Sequence, residues 1–234
     1  MADNKLPAKI SSARDIDAFL KRAATLPAIS QAKGRLIFAI DATMSRQPTW
    51  NRATEIQSDM FGVAQAIGGL AVQLIFFRGI GEFQASEWTA SAQVLANRMR
   101  DVTCRSGFTQ LRRVLEHATA EARQTKVGAV VYVGDCFEED LDSVAANAAS
   151  LALLGVPAFM FHEGDDPRAA AAFREVARLT KGVYARFDAG AAKQLRELLM
   201  AAAIYATGGA VALREHAKKK GGEALRLLQG MDHK

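Results

Sequence analysis

The fold is decided by residues 35–45, which read RLIFAIDATMS. After Arg35, residues 36–40 form a continuous apolar run, which is typical of a strand that is buried on both faces of a parallel sheet. The run ends at Asp41, and a similar run over residues 127–133 ends at Gly134 and Asp135. Each carboxylate therefore follows a predicted buried strand directly.

Predicted strands and helices alternate along the chain between residues 35 and 207. The strands are predicted at 35–40, 70–77, 82–85, 127–133, 157–161 and 183–187. The helices are predicted at 48–67, 88–102, 110–122, 141–154, 167–180 and 191–205. This alternation predicts an α/β fold, a doubly wound, Rossmann-like and mostly parallel sheet with helices on both faces.

Composition excludes several classes of protein. The chain has 234 residues, of which 50% are hydrophobic and 24% are charged, and it contains two cysteines. A chain of this length and composition can bury a large core, which excludes a disordered chain, a collagen-like repeat and a coiled coil. Two cysteines are too few for the disulfide framework of a small secreted scaffold.

The net charge of +5 belongs to the two ends of the chain. Residues 1–34 and 208–234 each hold six Lys or Arg and three Asp or Glu, whereas residues 35–207 hold 18 and 19. We therefore predict an N-terminal helical appendage over 1–34, a globular domain over 35–207 and a basic tail over 208–234. A nearly neutral domain does not favour nucleic-acid binding.

No targeting or membrane-spanning segment is predicted. The first residues lack the apolar stretch of a signal peptide. The most apolar stretch covers residues 148–161 and is interrupted by Gly155 and Pro157, whereas a membrane span needs roughly 20 apolar residues. A cytoplasmic location is the expectation.

Five oxygen-bearing side chains follow the predicted strands or precede a helix. They are Asp41, Thr43, Ser45, Thr109 and Asp135. Hard oxygen donors of this kind suit Mg²⁺, with Mn²⁺ and Ca²⁺ as alternatives. Two aspartates would balance the charge of the ion and leave coordination positions for water or for a carboxylate of another molecule. The four histidines are scattered, which disfavours zinc.

The order Asp41-x-Thr43-x-Ser45, Thr109 and Asp135 resembles a von Willebrand factor A-type (VWA) domain with its metal-ion-dependent adhesion site (MIDAS). The resemblance covers about residues 35–207 and implies a six-stranded sheet of order 3-2-1-4-5-6 with an antiparallel third strand. It implies that Thr43, Ser45 and Thr109 are hydroxyl ligands and that Asp41 and Asp135 act directly or through water. Two positions depart from the usual pattern, because Thr43 replaces a serine and Cys136 replaces a glycine.

The resemblance implies a non-enzymatic module whose metal accepts an acidic side chain of a partner protein. Intracellular members of the family often act in multiprotein assemblies, and some act with AAA+ ATPases. An alternative is a Mg²⁺-dependent phosphohydrolase of the haloacid dehalogenase type, since Asp135 and Asp140 fit one of its motifs. That class needs a second aspartate where this chain has Thr43. A third alternative is a structural relic that binds no metal.

The residues directly after Asp135 allow two interpretations each. Glu138, Glu139 and Asp140 are expected to open the next helix, where acidic residues suit the helix dipole; alternatively, they support the metal ligands or attract cations to the site. Cys136 is expected to be a small buried residue; alternatively, it is a redox switch.

Overall fold

The computed structural model describes residues 34–43, 45, 47–65, 67–188, 191–220 and 231 of the chain. The predicted N-terminal helix lies outside the described residues, and so does most of the tail beyond residue 220. The domain predicted over 35–207 falls almost entirely within them.

Six strands form one sheet in the order β3-β2-β1-β4-β5-β6. Their bounds are β1 Gly34–Asp41, β2 Leu70–Arg78, β3 Glu82–Ala85, β4 Ala129–Gly134, β5 Ala158–Glu163 and β6 Val183–Phe187. All neighbours pair in parallel except β3, which is antiparallel to β2. The predicted doubly wound sheet and its strand order are therefore confirmed.

Helices cover both faces of the sheet. They are α1 Gln47–Gln65, α2 Ala92–Arg100, α3 Leu111–Gln124, α4 Leu141–Leu153, α5 Pro167–Leu179 and α6 Ala192–Lys220. In β1, Leu36, Phe38 and Ile40 belong to the core under α1, α2 and α6, whereas Ile37 and Ala39 belong to the core under α3, α4 and α5. The unbroken apolar run of β1 follows from burial on both faces.

The helix predicted over 88–102 begins later than expected. Thr89 forms an antiparallel bridge with Val72, with N–H to carbonyl distances of 2.8 and 2.9 Å in the two directions. Ser91 then caps the helix by accepting a hydrogen bond from the Val94 N–H. The edge of β2 offers these backbone groups partners, so residues 88–91 stay outside the helix.

The last helix continues past the predicted end of the domain. It runs from Ala192 to Lys220 with a kink at Gly209, and Leu213 and Ala217 beyond the kink are buried in the core. An apolar window within residues 192–219 is long enough to cross a membrane, and 44% of that window is buried inside the domain. The helix packs against α1 and against β1, β2 and β4.

The topology opens a crevice at the carboxyl ends of the two central strands, β1 and β4. The chain leaves β1 toward α1 on one face and leaves the neighbouring β4 toward α4 on the other face. The loops that follow β1 and β4 therefore diverge. In doubly wound sheets, such a point is where ligands bind.

Acidification is expected to destabilise the domain through His117. Burial lowers the pKa of this imidazole, whose Nε2 lies 2.9 Å from Gln73 Oε1, and Glu121 opposes the shift only in part. Because the unfolded chain binds the proton more readily, the free energy of unfolding falls as the pH drops below about 6.5. Urea denaturation at pH 7.5 and 5.5 should show a smaller loss for His117→Gln than for the wild type. Identical losses would contradict this prediction.

Candidate metal centre

Hydrogen bonds link the loop after β1 to Asp135, which follows β4. Asp41 ends β1 with only 1% of its surface exposed, and its Oδ1 accepts a hydrogen bond of 2.8 Å from the Thr43 N–H. The Thr43 and Ser45 hydroxyl oxygens are 3.3 Å apart. Ser45 Oγ donates to Asp135 Oδ2 at 2.9 Å. Four of the five predicted donors are therefore linked in one chain of contacts across the crevice.

Thr109 closes the same cavity from the loop that leads into α3. It is 5% exposed, and its Oγ1 accepts a hydrogen bond of 3.2 Å from the Glu138 N–H. All five predicted donors line one cavity of about 210 Å³, together with Ser106, Gly107, Cys136 and Glu138. The structure thus brings together all five predicted metal ligands.

The donor set suits a hard divalent cation. The five predicted ligands supply two carboxylates and three hydroxyls, which are all oxygen ligands of the kind that Mg²⁺ takes. The carboxylate of Glu138, which also lines the cavity, accepts from the Thr109 N–H. Within the described part of the chain, no three His, Cys, Asp or Glu side chains cluster in a way that could hold a metal. A metal site at the carboxyl ends of these strands would therefore depend on hydroxyl ligands as much as on carboxylates.

Glu138 and Glu139 contact a different helix from the expected one. The Thr109 N–H donates to Glu138 Oε2 at 3.0 Å, and the Leu111 and Arg112 N–H groups donate to the two oxygens of Glu139. Gln110, the N-cap of α3, makes no side-chain cap of its own. The two glutamates therefore satisfy the N–H groups at and just before the start of α3 from outside.

The expectation that all three acids open the following helix is wrong for Glu138 and Glu139. Only Asp140 caps α4, where its side chain accepts from the Ser143 N–H at 2.8 Å. One cap satisfies that helix start, so the other two carboxylates are available to α3. Two surplus acids before a capping aspartate are the signal in the sequence that could have indicated this role.

A carboxylate also anchors the far end of the β1 loop. Glu163 ends β5 with 7% exposure and accepts a short hydrogen bond from the Thr49 hydroxyl in the first turn of α1. The β1 loop is thus held at Asp41 on one side and at Thr49 on the other. Sequence reasoning missed Glu163 because its partner lies 114 positions away.

His162 holds the backbone of Asp135 through a hydrogen bond. This fully buried imidazole has its Nε2 3.3 Å from the Asp135 carbonyl oxygen and its Nδ1 2.8 Å from the Tyr184 hydroxyl. Burial lowers the pKa of His162, which favours the neutral ring. Since a carbonyl can only accept, Nε2 carries the proton and Nδ1 accepts from Tyr184. The scattered histidines gave no ligand pattern, and this one holds the backbone of a predicted ligand instead.

Cys136 is exposed, which corrects the expectation of a small buried residue. Partial desolvation of its sulfur and the adjacent Asp135 carboxylate raise the pKa of the thiol to about 12. The thiol therefore stays protonated at neutral pH, where it is a poor nucleophile. Cys104, in contrast, is buried.

Gly107 allows the loop before α3 to pass directly over the end of β2. A Cβ atom at this position would lie 2.2 Å from the backbone nitrogen of Gly79 and 2.6 Å from its carbonyl oxygen. Both neighbours are backbone atoms, so no side-chain rotation relieves the contact. The position of Thr109, two residues later, therefore depends on glycine at 107.

Gly107→Ala is expected to lower the free energy of unfolding by roughly 1–3 kcal/mol, because the loop must move away from Gly79. Gly62→Ala is the matched control, since a Cβ at that exposed position in α1 meets nothing within 4 Å. The control should gain about 0.5–1 kcal/mol from helix propensity. Urea denaturation measures both changes, and equal stability of the two variants would contradict the close contact.

Comparison with known proteins identifies the fold. No family model matches the chain, and no curated protein sequence matches it. Among solved structures, a von Willebrand factor type A protein from Catenulispora acidiphila shares 15% identity over 74% of this chain and 43% of its own, with a TM-score of 0.59. The vWF domain of the type V pili tip protein Mfa5 from Porphyromonas gingivalis shares 9% identity over 82% and 98%, with a TM-score of 0.60.

A third similar structure carries a metal. Proximal thread matrix protein 1 from the mussel byssus, with a zinc-occupied MIDAS motif, shares 13% identity over 74% of this chain and 48% of its own, with a TM-score of 0.54. This chain spans less than half the length of the Catenulispora and mussel proteins. With its six-stranded sheet of order β3-β2-β1-β4-β5-β6, the chain has the fold of a von Willebrand factor A-type domain.

Proposed function

We propose that this chain is a non-enzymatic, cation-dependent module for protein–protein interaction. Asp41, Thr43, Ser45, Thr109 and Asp135 would hold Mg²⁺, and the ion would accept an acidic side chain of a partner protein. The observation that carries the proposal is that five oxygen donors from three separate loops line one open cavity at the switch point of the sheet. The zinc-occupied MIDAS motif of the mussel protein supports a divalent ion in this fold.

The unfilled coordination positions of the ion favour an acidic partner. Two carboxylates neutralise the charge of one divalent ion but do not fill an octahedral shell. Further oxygen ligands must come from the hydroxyls, from water or from another molecule. A carboxylate of a partner would add a strong oxygen ligand, and it would do so only while the ion is present.

The residues of the cavity favour binding over phosphoryl transfer. The position that a haloacid dehalogenase fills with its second aspartate is Thr43, whose hydroxyl oxygen lies next to that of Ser45. A hydroxyl cannot replace the carboxylic acid that protonates the leaving group. We propose that the partner belongs to a cytoplasmic multiprotein assembly, with an AAA+ ATPase as one candidate.

Magnesium is expected to stabilise the folded chain. At about ten times its Kd, Mg²⁺ adds ~1.4 kcal/mol to the free energy of unfolding, which raises Tm by roughly 3–6 °C. Asp41→Asn should lose this shift, whereas Asp142→Asn, which alters an exposed aspartate on α4 outside the cavity, should retain it. Thermal melts in MgCl₂, MnCl₂ and CaCl₂ against EDTA provide the measurement. A wild-type Tm that responds to none of the three ions would refute metal binding.

Partner capture should require both the ion and Asp41. The immobilised full-length chain is incubated with lysate of its source organism in MgCl₂ or in EDTA, and the retained proteins are quantified by mass spectrometry. We expect one set of proteins to be retained at least tenfold more in MgCl₂, and to be lost with Asp41→Asn but not with Asp142→Asn. Equal retention of these proteins in EDTA would show that the interaction does not depend on the cation.

A further inference from the structure

Two large apolar side chains stand exposed beside the candidate metal centre. Ile80 is 95% exposed at the turn between β2 and β3, and Phe108 is 61% exposed directly before Thr109. Scattered exposed apolar residues need no explanation, but an apolar pair at a candidate binding site does. We call Ile80 and Phe108 the apolar rim.

The two residues of the apolar rim lie on turns that contact each other. The Phe108 N–H donates to the Gly79 carbonyl oxygen at 3.3 Å, and Gly107 packs against the backbone of Gly79. Gly107 and Thr109 also line the cavity of the metal centre. The apolar rim therefore lies beside that cavity, and Thr109 lines both it and the neighbouring cavity that Phe108 lines.

The turn that carries Ile80 is held in place. Gly79 and Gly81 on either side of it adopt φ values of 61° and 86°, a conformation that glycine adopts without strain. The guanidinium of Arg78 binds both carboxylate oxygens of Glu82 at 2.9 and 2.8 Å, and Arg113 Nη1 donates to the Gly81 carbonyl at 2.8 Å. Ile80 is thus presented to solvent by a braced turn, so binding there costs little ordering entropy.

Basic side chains lie around the apolar rim. Phe108 lines a second cavity beside the metal centre, together with Arg112, Arg113, Glu139 and Asp140. The two acidic residues of that second cavity are engaged, since Glu139 accepts from N–H groups of α3 and Asp140 caps α4. Arg105 is exposed in the loop before Phe108, and its backbone N–H donates to the Ala42 carbonyl at 2.9 Å. An acidic partner segment is therefore favoured beside the apolar rim.

From this arrangement we infer that the apolar rim selects a partner segment in which a large aliphatic or aromatic residue lies next to the metal-bound Asp or Glu. The carboxylate would bind the cation, and the neighbouring apolar side chain would pack on Ile80 and Phe108. This inference rests on the proposed function and adds the sequence preference of the partner. The cation supplies affinity for any carboxylate, whereas the apolar rim discriminates among acidic segments.

Selection of a random linear peptide library on the full-length chain tests this inference. In MgCl₂, the enriched peptides should carry an Asp or Glu with a large apolar residue one or two positions away. The most enriched peptide should bind Ile80→Ser and Phe108→Ser about tenfold more weakly than the wild type, as expected when a large apolar contact is lost. Leu153→Ser is the matched control, since Leu153 is an equally exposed apolar residue (89%) at the end of α4, away from the cavity.

The outcomes distinguish a failure of the proposed function from a failure of the inference about the apolar rim. If no acidic motif is enriched in MgCl₂ over EDTA, the proposed function fails and this inference fails with it. If acidic motifs are enriched without apolar neighbours, or if Ile80→Ser and Phe108→Ser bind like the control, the inference alone is overturned. Dimerisation of the wild type that is lost in Ile80→Ser, measured by sedimentation, would assign the apolar rim to a second copy of the chain and would overturn it as well.

Discussion

The burial of the Asp41 carboxylate at the end of the central strand is the constraint on which the site depends. A charged group with 1% exposure is tolerated only where hydrogen bonds or an opposite charge compensate its loss of water. The Thr43 N–H provides one such bond, which turns the chain sharply and places Thr43 and Ser45 over the cavity. The position of Asp41 follows in turn from β1, which lies between β2 and β4 with both faces covered.

Carboxylates from neighbouring strand ends brace the loops around this position. Glu163 at the end of β5 holds the first turn of α1, while Glu138 and Glu139 after β4 hold the start of α3. His162 holds the carbonyl of Asp135 from below. Each brace crosses between two elements, so the donors of the cavity are positioned by the whole carboxyl edge of the sheet. Such support by residues that are not themselves ligands is typical of metal sites.

Much of the fold was predictable because its main signals are local. Apolar runs identify the buried strands, and β3 and β6 were predicted with their observed bounds. The five oxygen donors were recognisable by their order after the strands, and the structure brings them around one cavity. The braces were not predictable, because Thr109 and Glu138 are 29 positions apart and Thr49 and Glu163 are 114 apart. The burial of individual residues such as Cys136 likewise depends on packing between distant elements.

The metal centre itself is tested most directly by diffraction from crystals of the full-length chain soaked in MnCl₂, with data collected at the manganese absorption edge. The proposed site predicts one anomalous peak in the cavity between Asp41 and Asp135, with the hydroxyl oxygens of Thr43, Ser45 or Thr109 among its ligands. Asp41→Asn crystals should lose that peak. A cavity without a peak in wild-type crystals, while manganese occupies other sites in the same crystal, would contradict the proposed metal centre.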